Sequence, residues 1–338
     1  MEISVSKFNE VYLRIKCEPS VAKELSEFFT FEVPNAKFMP SVRNRLWDGK
    51  IRLFSPGTGK IYFGLLPYVK EFLQEQGYKA IYDADFSKRN LDKSITTKFV
   101  RSLQRKKFKA RDYQIDAIHT ILESHRGLIL SPTGSGKSFI IYALVRYYLK
   151  TLNDKKILII VPTTNLVEQM YGDFADYGWF PDEHCHKLYA GSDKNTSKEV
   201  VISTWQSIYK LGKPWFRQFG AVIGDEAHGF KAKSLTSILT KMVDCEYKFG
   251  FTGTLDGTQT HKLVLEGLFG PIHKVTTSKA LMDAELIARL HIEAVTLGYT
   301  DTEKKEVKQM IYADEIDFLI NHSKRNRFIC DLALSREN

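Results

Sequence analysis

Residues Ile129 to Ser138 read Ile-Leu-Ser-Pro-Thr-Gly-Ser-Gly-Lys-Ser, a short apolar run that ends in a glycine-rich loop. Lys137 and Ser138 then open an apolar helical pattern, Phe139 to Leu149. Few stretches restrict a fold more. A loop without bulky Cβ atoms lets its backbone N–H groups, with the positive end of the following helix, cradle the phosphates of a nucleotide. In such a cradle Thr133, Gly134, Ser135 and Gly136 wrap the phosphates. Lys137 would reach the β- and γ-phosphates of ATP and Ser138 would hold Mg2+. One position departs from the usual spacing: Ser131 stands where Gly or Ala ordinarily begins the loop.

A strand, loop and helix of this kind needs neighbouring strands, and the downstream sequence offers them. Apolar, β-branched runs at Leu128–Leu130, Ile157–Val161, His186–Tyr189, Val200–Ser203, Ala221–Ile223 and Tyr247–Phe251 alternate with helical patterns. Those helices begin at Arg111 (running to Leu122), at Thr164 (to Tyr177), at Thr204 and at Ser234. Alternation of this sort predicts an α/β fold with a doubly wound parallel sheet. Ligands of such sheets sit at the carboxyl ends of strands. The polar motifs fall there: Ser131 to Ser138, Pro162-Thr163-Thr164, Ser203-Thr204, Asp225-Glu226 and Thr252-Gly253-Thr254.

Upstream, residues 1–86 read as a small α+β domain, with a strand at Val11–Ile15 and helices at Ser20–Phe29 and Val69–Gln76. Asp48-Gly49 signals a hairpin turn between two strand-like runs. Around it Arg43, Arg45, Lys50 and Arg52 bracket Trp47 and Phe54. Either these cations and aromatics hold a nucleic acid by charge and stacking, or the aromatics are core beneath a wet hairpin face. The net charge of +9 lies wholly in Ser87 to Arg111, which carries ten Lys and Arg, among them Arg105, Lys106 and Lys107, against one acid. This strip reads as a solvated linker or as a salt-sensitive phosphate contact. From Leu286 a strand, Arg289 to Leu297, and two helical stretches begin what looks like an incomplete second unit, residues 285–338. The expected domains are therefore 1–86, 87–111, 112–284 and 285–338. No apolar run approaches the ~20 residues of a membrane span. The N-terminus has no basic-then-apolar leader, and Cys17, Cys185, Cys245 and Cys330 have no paired spacing. These features suggest a cytoplasmic protein with reduced thiols and no membrane association. His184-Cys185-His186 lacks a second ligand pair and reads as a surface loop.

Chemistry concentrates on Asp225-Glu226-Ala227-His228, after the strand Ala221–Ile223. Two adjacent carboxylates opposite a phosphate loop have separate tasks. Asp225 would hold Mg2+ through water, and Glu226 would orient and deprotonate the water that attacks the γ-phosphate.

Gln114, S-P-T-G-S-G-K-S, V-P-T-T-N-L-V-E-Q, S-T-W-Q-S, D-E-A-H and F-T-G-T-L, in this order and spacing, resemble the first, RecA-like motor lobe of superfamily 2 helicases. The N-terminal W-D-G-K-I-R-L stretch resembles bacteriophage UvsW-type recombination and branch-migration helicases. The resemblance implies that Arg111 and Gln114 recognise adenine. It implies that Pro162, Thr163, Gln169, Thr204 and Gln206 grip a nucleic-acid backbone, although helix capping is an alternative role for such groups. His228, Thr252 and Thr254 match positions that couple hydrolysis to lobe movement. No Q-x-x-G-R-x-x-R pattern occurs. The chain is thus expected to be truncated or to carry a remnant second lobe, and to bind ATP and DNA weakly and turn over poorly by itself.

The expected activity is an ATP-dependent DNA helicase or translocase that remodels branched DNA in recombination, replication and repair. Monomeric action in the cytoplasm (the host's, if phage-encoded) is expected, with recombination or single-strand-binding proteins as partners. A superfamily 2 motor on another track, such as an RNA helicase or a restriction-type translocase subunit, is the alternative. A non-catalytic DNA-binding module with a regulatory nucleotide site is a third reading.

Overall fold

The inner strands of the second sheet are short runs of largely β-branched and apolar residues buried on both faces, as parallel sheets require. The computed structural model describes residues 2–82, 86, 89–105, 108–229, 232–255, 259–289 and 292–335. Residues up to Ile287 form one compact unit, and Ala288 onward a second.

The first unit opens with β1 (Ile3–Lys7), β2 (Tyr12–Lys16), α1 (Pro19–Phe28) and β3 (Thr30–Glu32). After α2 (Pro40–Arg43) come β4 (Lys50–Arg52), β5 (Phe54–Ser55), β6 (Lys60–Tyr62), α3 (Leu66–Glu75) and β7 (Ala80–Tyr82). Among the described residues they make a five-stranded sheet in the order β5-β6-β2-β1-β7 and a separate β3–β4 ladder. The hairpin expected at Asp48-Gly49 does not form. Lys37 to Trp47 is not extended: Pro40 starts a helical turn there, and the partner of β4 is the earlier strand β3.

The basic strip contains a helix, α4 (Lys93–Ser102), capped by Asp92 and docked on α5 (Asp112–Glu123). Val100 and Leu103 are buried there, so much of this segment is packed structure rather than free linker. Lys106 and Lys107 lie outside the described residues.

The second sheet follows: β8 (Arg126–Leu130), α6 (Lys137–Thr151), β9 (Lys156–Val161), α7 (Thr164–Asp176), β10 (Cys185–Leu188) and β11 (Val200–Thr204). β12 (Phe219–Gly224), β13 (Tyr247–Thr252) and β14 (Ile272–Lys274) complete it. All described pairings are parallel, in the order β10-β11-β9-β12-β13-β8-β14. Alternate residues point to opposite faces. Leu158, Ile160 and Val222 therefore enter a core shared with the N-terminal sheet, whereas Ile157, Ile159 and Ile223 meet α5, α6 and α7. The result is a RecA-like doubly wound lobe carrying a small α+β domain on its amino-terminal side in sequence.

His184-Cys185-His186 is not a loop. A helical turn ends at His184 and β10 begins at buried Cys185. His184 stacks on Trp179 and His186 bonds the Asp193 carbonyl.

In the second unit the strand expected at Arg289 to Leu297 is absent over its described residues, 289 and 292–297. Its alternation meets no strand to pair with among the described residues. Among the described residues three helices follow instead of two, Asp301–Val307, Tyr312–Asn321 and Ser323–Leu334.

Candidate nucleotide site and nucleic-acid surface

Between β8 and α6 the chain must turn without side chains in its way. Gly134 and Gly136 adopt φ of +80° and +75°, and a Cβ on Gly136 would lie 2.2 Å from Gln114 Nε2. Glycine is the residue that tolerates both conditions. Ser131, the departure from the usual spacing, is accommodated by internal bonding. Ser135 Oγ gives its proton to the Pro132 carbonyl (2.6 Å), so Ser131 Oγ donates to Ser135 Oγ at 2.6 Å.

The start of α5 braces this loop. Buried Gln114 donates through Nε2 to the Ser135 carbonyl (2.9 Å) and accepts the Arg111 N–H through Oε1 (2.9 Å). The Arg111 guanidinium donates to the Gly134 carbonyl (3.2 Å) and to the Tyr113 hydroxyl (2.7 Å). Tyr113 in turn donates to the Ser135 carbonyl at 2.9 Å. Tyr113 lies between Arg111 and Gln114 in sequence and carries no motif signal of its own; its packing on the loop identifies it.

Lys137, Asp225 and Glu226 converge. Lys137 Nζ lies 2.9 Å from Asp225 Oδ1 and contacts Glu226 Oε1 as well. Burial opposes the Lys137 ammonium, but the two carboxylates outweigh it and the net shift is upward. Asp225 is buried, and that burial raises its carboxyl despite the attraction of Lys137. Glu226 takes φ +51°, a left-handed turn at the end of β12 that its own N–H stabilises by donating to Asp225 Oδ1 (2.9 Å). Such a conformation costs a non-glycine residue roughly 1–2 kcal/mol and is characteristic of functional turns.

From Glu226 a polar chain crosses to β13. His228 Nδ1 lies 3.5 Å from Glu226 Oε2 and 2.7 Å from Thr252 Oγ1. The Thr252 hydroxyl has one proton, which goes to the Thr254 carbonyl (2.6 Å), so His228 Nδ1 is the donor to Thr252. The three residues named for coupling are thus hydrogen-bonded together.

Ser138 has neighbours no local pattern discloses. Its Oγ is 2.8 Å from the Tyr177 hydroxyl, and Asp173, half-buried with its carboxyl raised by burial, also bonds it. Both come from the end of α7, far away in sequence. The donor set fits a nucleotide with Mg2+: a helix N-terminus, a lysine, a hydroxyl and carboxylates around a cradle that a Cβ would fill.

The residues named for nucleic acid divide into groups. Gln206 Nε2 donates to the Pro162 carbonyl (3.1 Å), joining the ends of β9 and β11. Thr163 caps α7 through Leu166 N–H (3.4 Å), and Gln169 is exposed on that helix. Thr204 is buried, its hydroxyl 2.9 Å from that of Ser207. Arg105 is engaged elsewhere, donating to the Gly178 carbonyl (3.2 Å). In the N-terminal domain Trp47 is half-buried with its indole N–H on the Lys50 carbonyl (2.9 Å). Lys50 faces Glu32 (3.6 Å) and Arg52 pairs with Asp48, whereas Arg43 and Arg45 are exposed.

A phosphate loop after one strand, an acidic pair two strands away and a threonine turn between them define a P-loop NTPase lobe of the kind found in helicases. Two family models match, "DNA helicase UvsW, N-terminal" over residues 2–83 and "Type III restriction enzyme, res subunit" over 107–257. The ATP-dependent DNA helicase UvsW of Enterobacteria phage T4 is 36% identical over 343 aligned residues, covering 99% of this chain and 68% of that protein. The chain belongs to the UvsW family of DNA helicases. Two crystal structures of UvsW from bacteriophage T4 superpose with TM-scores of 0.74 and 0.75, at 37% and 35% identity. The first covers 81% of this chain and 100% of that one; the second covers 98% and 67%. A DNA 3'-5' translocase, XPB2 of Sulfurisphaera tokodaii, is 27% identical over 59% of this chain and 43% of its own length. No described helix is long and apolar enough to cross a membrane.

Proposed function

We propose that this chain is the ATP-hydrolysing part of a DNA helicase that remodels branched DNA. The observation that carries the reading is the meeting of Lys137 with Asp225 and Glu226, at the carboxyl ends of β8 and β12. Lys137 binds the β- and γ-phosphates of ATP, and Arg111 and Gln114 hold the adenine end against the loop they already brace. Ser138 and Asp225 would hold Mg2+, which when bound would supply charge neutralisation for the phosphates. Glu226 orients the attacking water and takes its proton. To do so it must exchange its contact with Lys137, which then serves the phosphates instead. The hydrogen bond from His228 to Thr252, and the one that Thr252 donates to the Thr254 carbonyl, give Glu226 a route to the neighbouring strand end.

DNA lies over Pro162, Thr163, Gln169 and Gln206, of which the Thr163 hydroxyl and the Gln169 and Gln206 side-chain amides bond phosphates without reading sequence. Residues 1–86 and the basic strip hold the duplex while residues 112–284 hydrolyse ATP. Likeness to an ATP-dependent DNA helicase and to a DNA translocase supports a DNA track. ATP hydrolysis measured with four-way junction DNA, linear duplex and RNA tests the reading. Strongest stimulation by junction DNA is expected; RNA stimulating at least as well would overturn it.

A further inference from the structure

Between β3 and β4 the chain makes an excursion, residues 33–49, whose ends are pinned together by the ladder pair Glu32 and Lys50. It is ordered by its own bonds. Val33 N–H donates to the Gly49 carbonyl (2.9 Å), and Leu46 and Trp47 N–H both donate to Ser41 O (2.8 and 3.1 Å). Loops of this compact kind are commonly functional.

What it shows to solvent is unusual for a surface. Phe38 is 67% exposed, Leu46 81% and Met39 39%. Its cations are free to act outward: no carboxylate pairs with Lys37, Arg43 or Arg45 among the described residues, and Lys37 Nζ lies 5.1 Å over the Phe38 ring. The excursion's one acid, Asp48, is taken by Arg52. Trp47 ties the base of the excursion to β4 through its indole N–H on the Lys50 carbonyl.

A partner for this tip must offer a flat apolar surface beside negative charge. Stacked duplex hides its base faces, whereas a branch point leaves a terminal base pair open between phosphate backbones. Phe, Leu and Met are the side chains that wedge against base steps, and at a branch the unstacking has already occurred. We propose that residues 33–49 form a wedge, with Phe38, Met39 and Leu46 against the open base pair of branched DNA and Lys37, Arg43 and Arg45 on the flanking phosphates. The proposal rests on the DNA-remodelling reading above and names the part of the substrate that the N-terminal domain grips.

The test uses the whole chain with two probes, a four-way junction carrying 2-aminopurine at the branch and a continuous duplex of equal length. The Phe38→Ala/Leu46→Ala variant changes exposed side chains, and an unaltered thermal transition confirms its fold. Loss of base stacking predicts about tenfold weaker junction binding, duplex binding unchanged, and loss of the change in 2-aminopurine fluorescence that the parent produces on binding. Phe38→Tyr retains both, while Arg43→Ala/Arg45→Ala weakens both DNAs and flattens the salt dependence. Equal binding by the double-alanine variant and the parent, or an equal loss on both DNAs, would overturn the wedge while leaving the motor reading standing. If the parent binds neither DNA, both readings fall.

Discussion

At the scale of single residues, the candidate site gathers two carboxylates around one ammonium. Lys137 is held by Asp225 and Glu226, so its replacement removes charge-assisted bonds to phosphate and also leaves buried Asp225 unpaired. Lys137→Ala should weaken nucleotide binding about 10- to 100-fold, read by titration with a fluorescent ATP analogue. A second residue-scale prediction concerns acid stability. The hydrogen bond from His125, aided by Tyr247 and Arg89, holds the Glu246 carboxyl down to about 2. A depressed carboxylate stabilises the fold fully above its unfolded value near 4.5 and loses that contribution as pH falls toward 2. The group is partly exposed, so screening leaves about 1 kcal/mol. Denaturant midpoints measured from pH 6 to pH 2 should fall less steeply in Glu246→Gln than in the parent.

At the scale of elements, α4 decides how the basic strip is understood. Val100 is fully buried against α5 while Arg101 on the same helix is exposed. Val100→Ala should cost about 2 kcal/mol by urea denaturation, and Arg101→Ala less than about 0.5 kcal/mol. Charge counting could not reveal this helix, because its apolar positions are few and its partner is another helix. The phosphate loop and the strands around it were legible, since β-branched runs buried on both faces leave few alternatives to a parallel sheet. The Asp48-Gly49 signal misled for a physical reason: turn chemistry states that the chain bends, not which strand it returns to, and β3 lies beyond the excursion. Arg289 to Leu297 alternates convincingly, yet among its described residues that alternation finds no pairing neighbour and makes no strand. Tyr177 and Asp173 reach Ser138 only through the packing of α7 on α6, which leaves no local trace in the sequence.

At the scale of the whole molecule, the N-terminal sheet and the motor lobe of the first unit share one core and one buried cation. Arg126, at the start of β8, lies 3.2 Å from Glu10 and 3.7 Å over the Phe63 ring, and Tyr68 bonds Glu266 at 2.7 Å. Burial lowers the Arg126 guanidinium to about 10, with Glu10 opposing that shift. Removing one partner of a buried pair strands the other. Arg126→Ala should therefore destabilise the first unit by about 3 kcal/mol in calorimetry and make its melting less cooperative. The central claim joins this scale to the first: an acid at the end of β12 turns nucleotide hydrolysis into work on DNA. The most direct measurement compares DNA-stimulated ATP hydrolysis in the parent and in Glu226→Gln, with nucleotide affinity measured in both. Loss of a general base predicts a rate about 10²- to 10³-fold lower with affinity retained. An unchanged rate in Glu226→Gln would contradict the account.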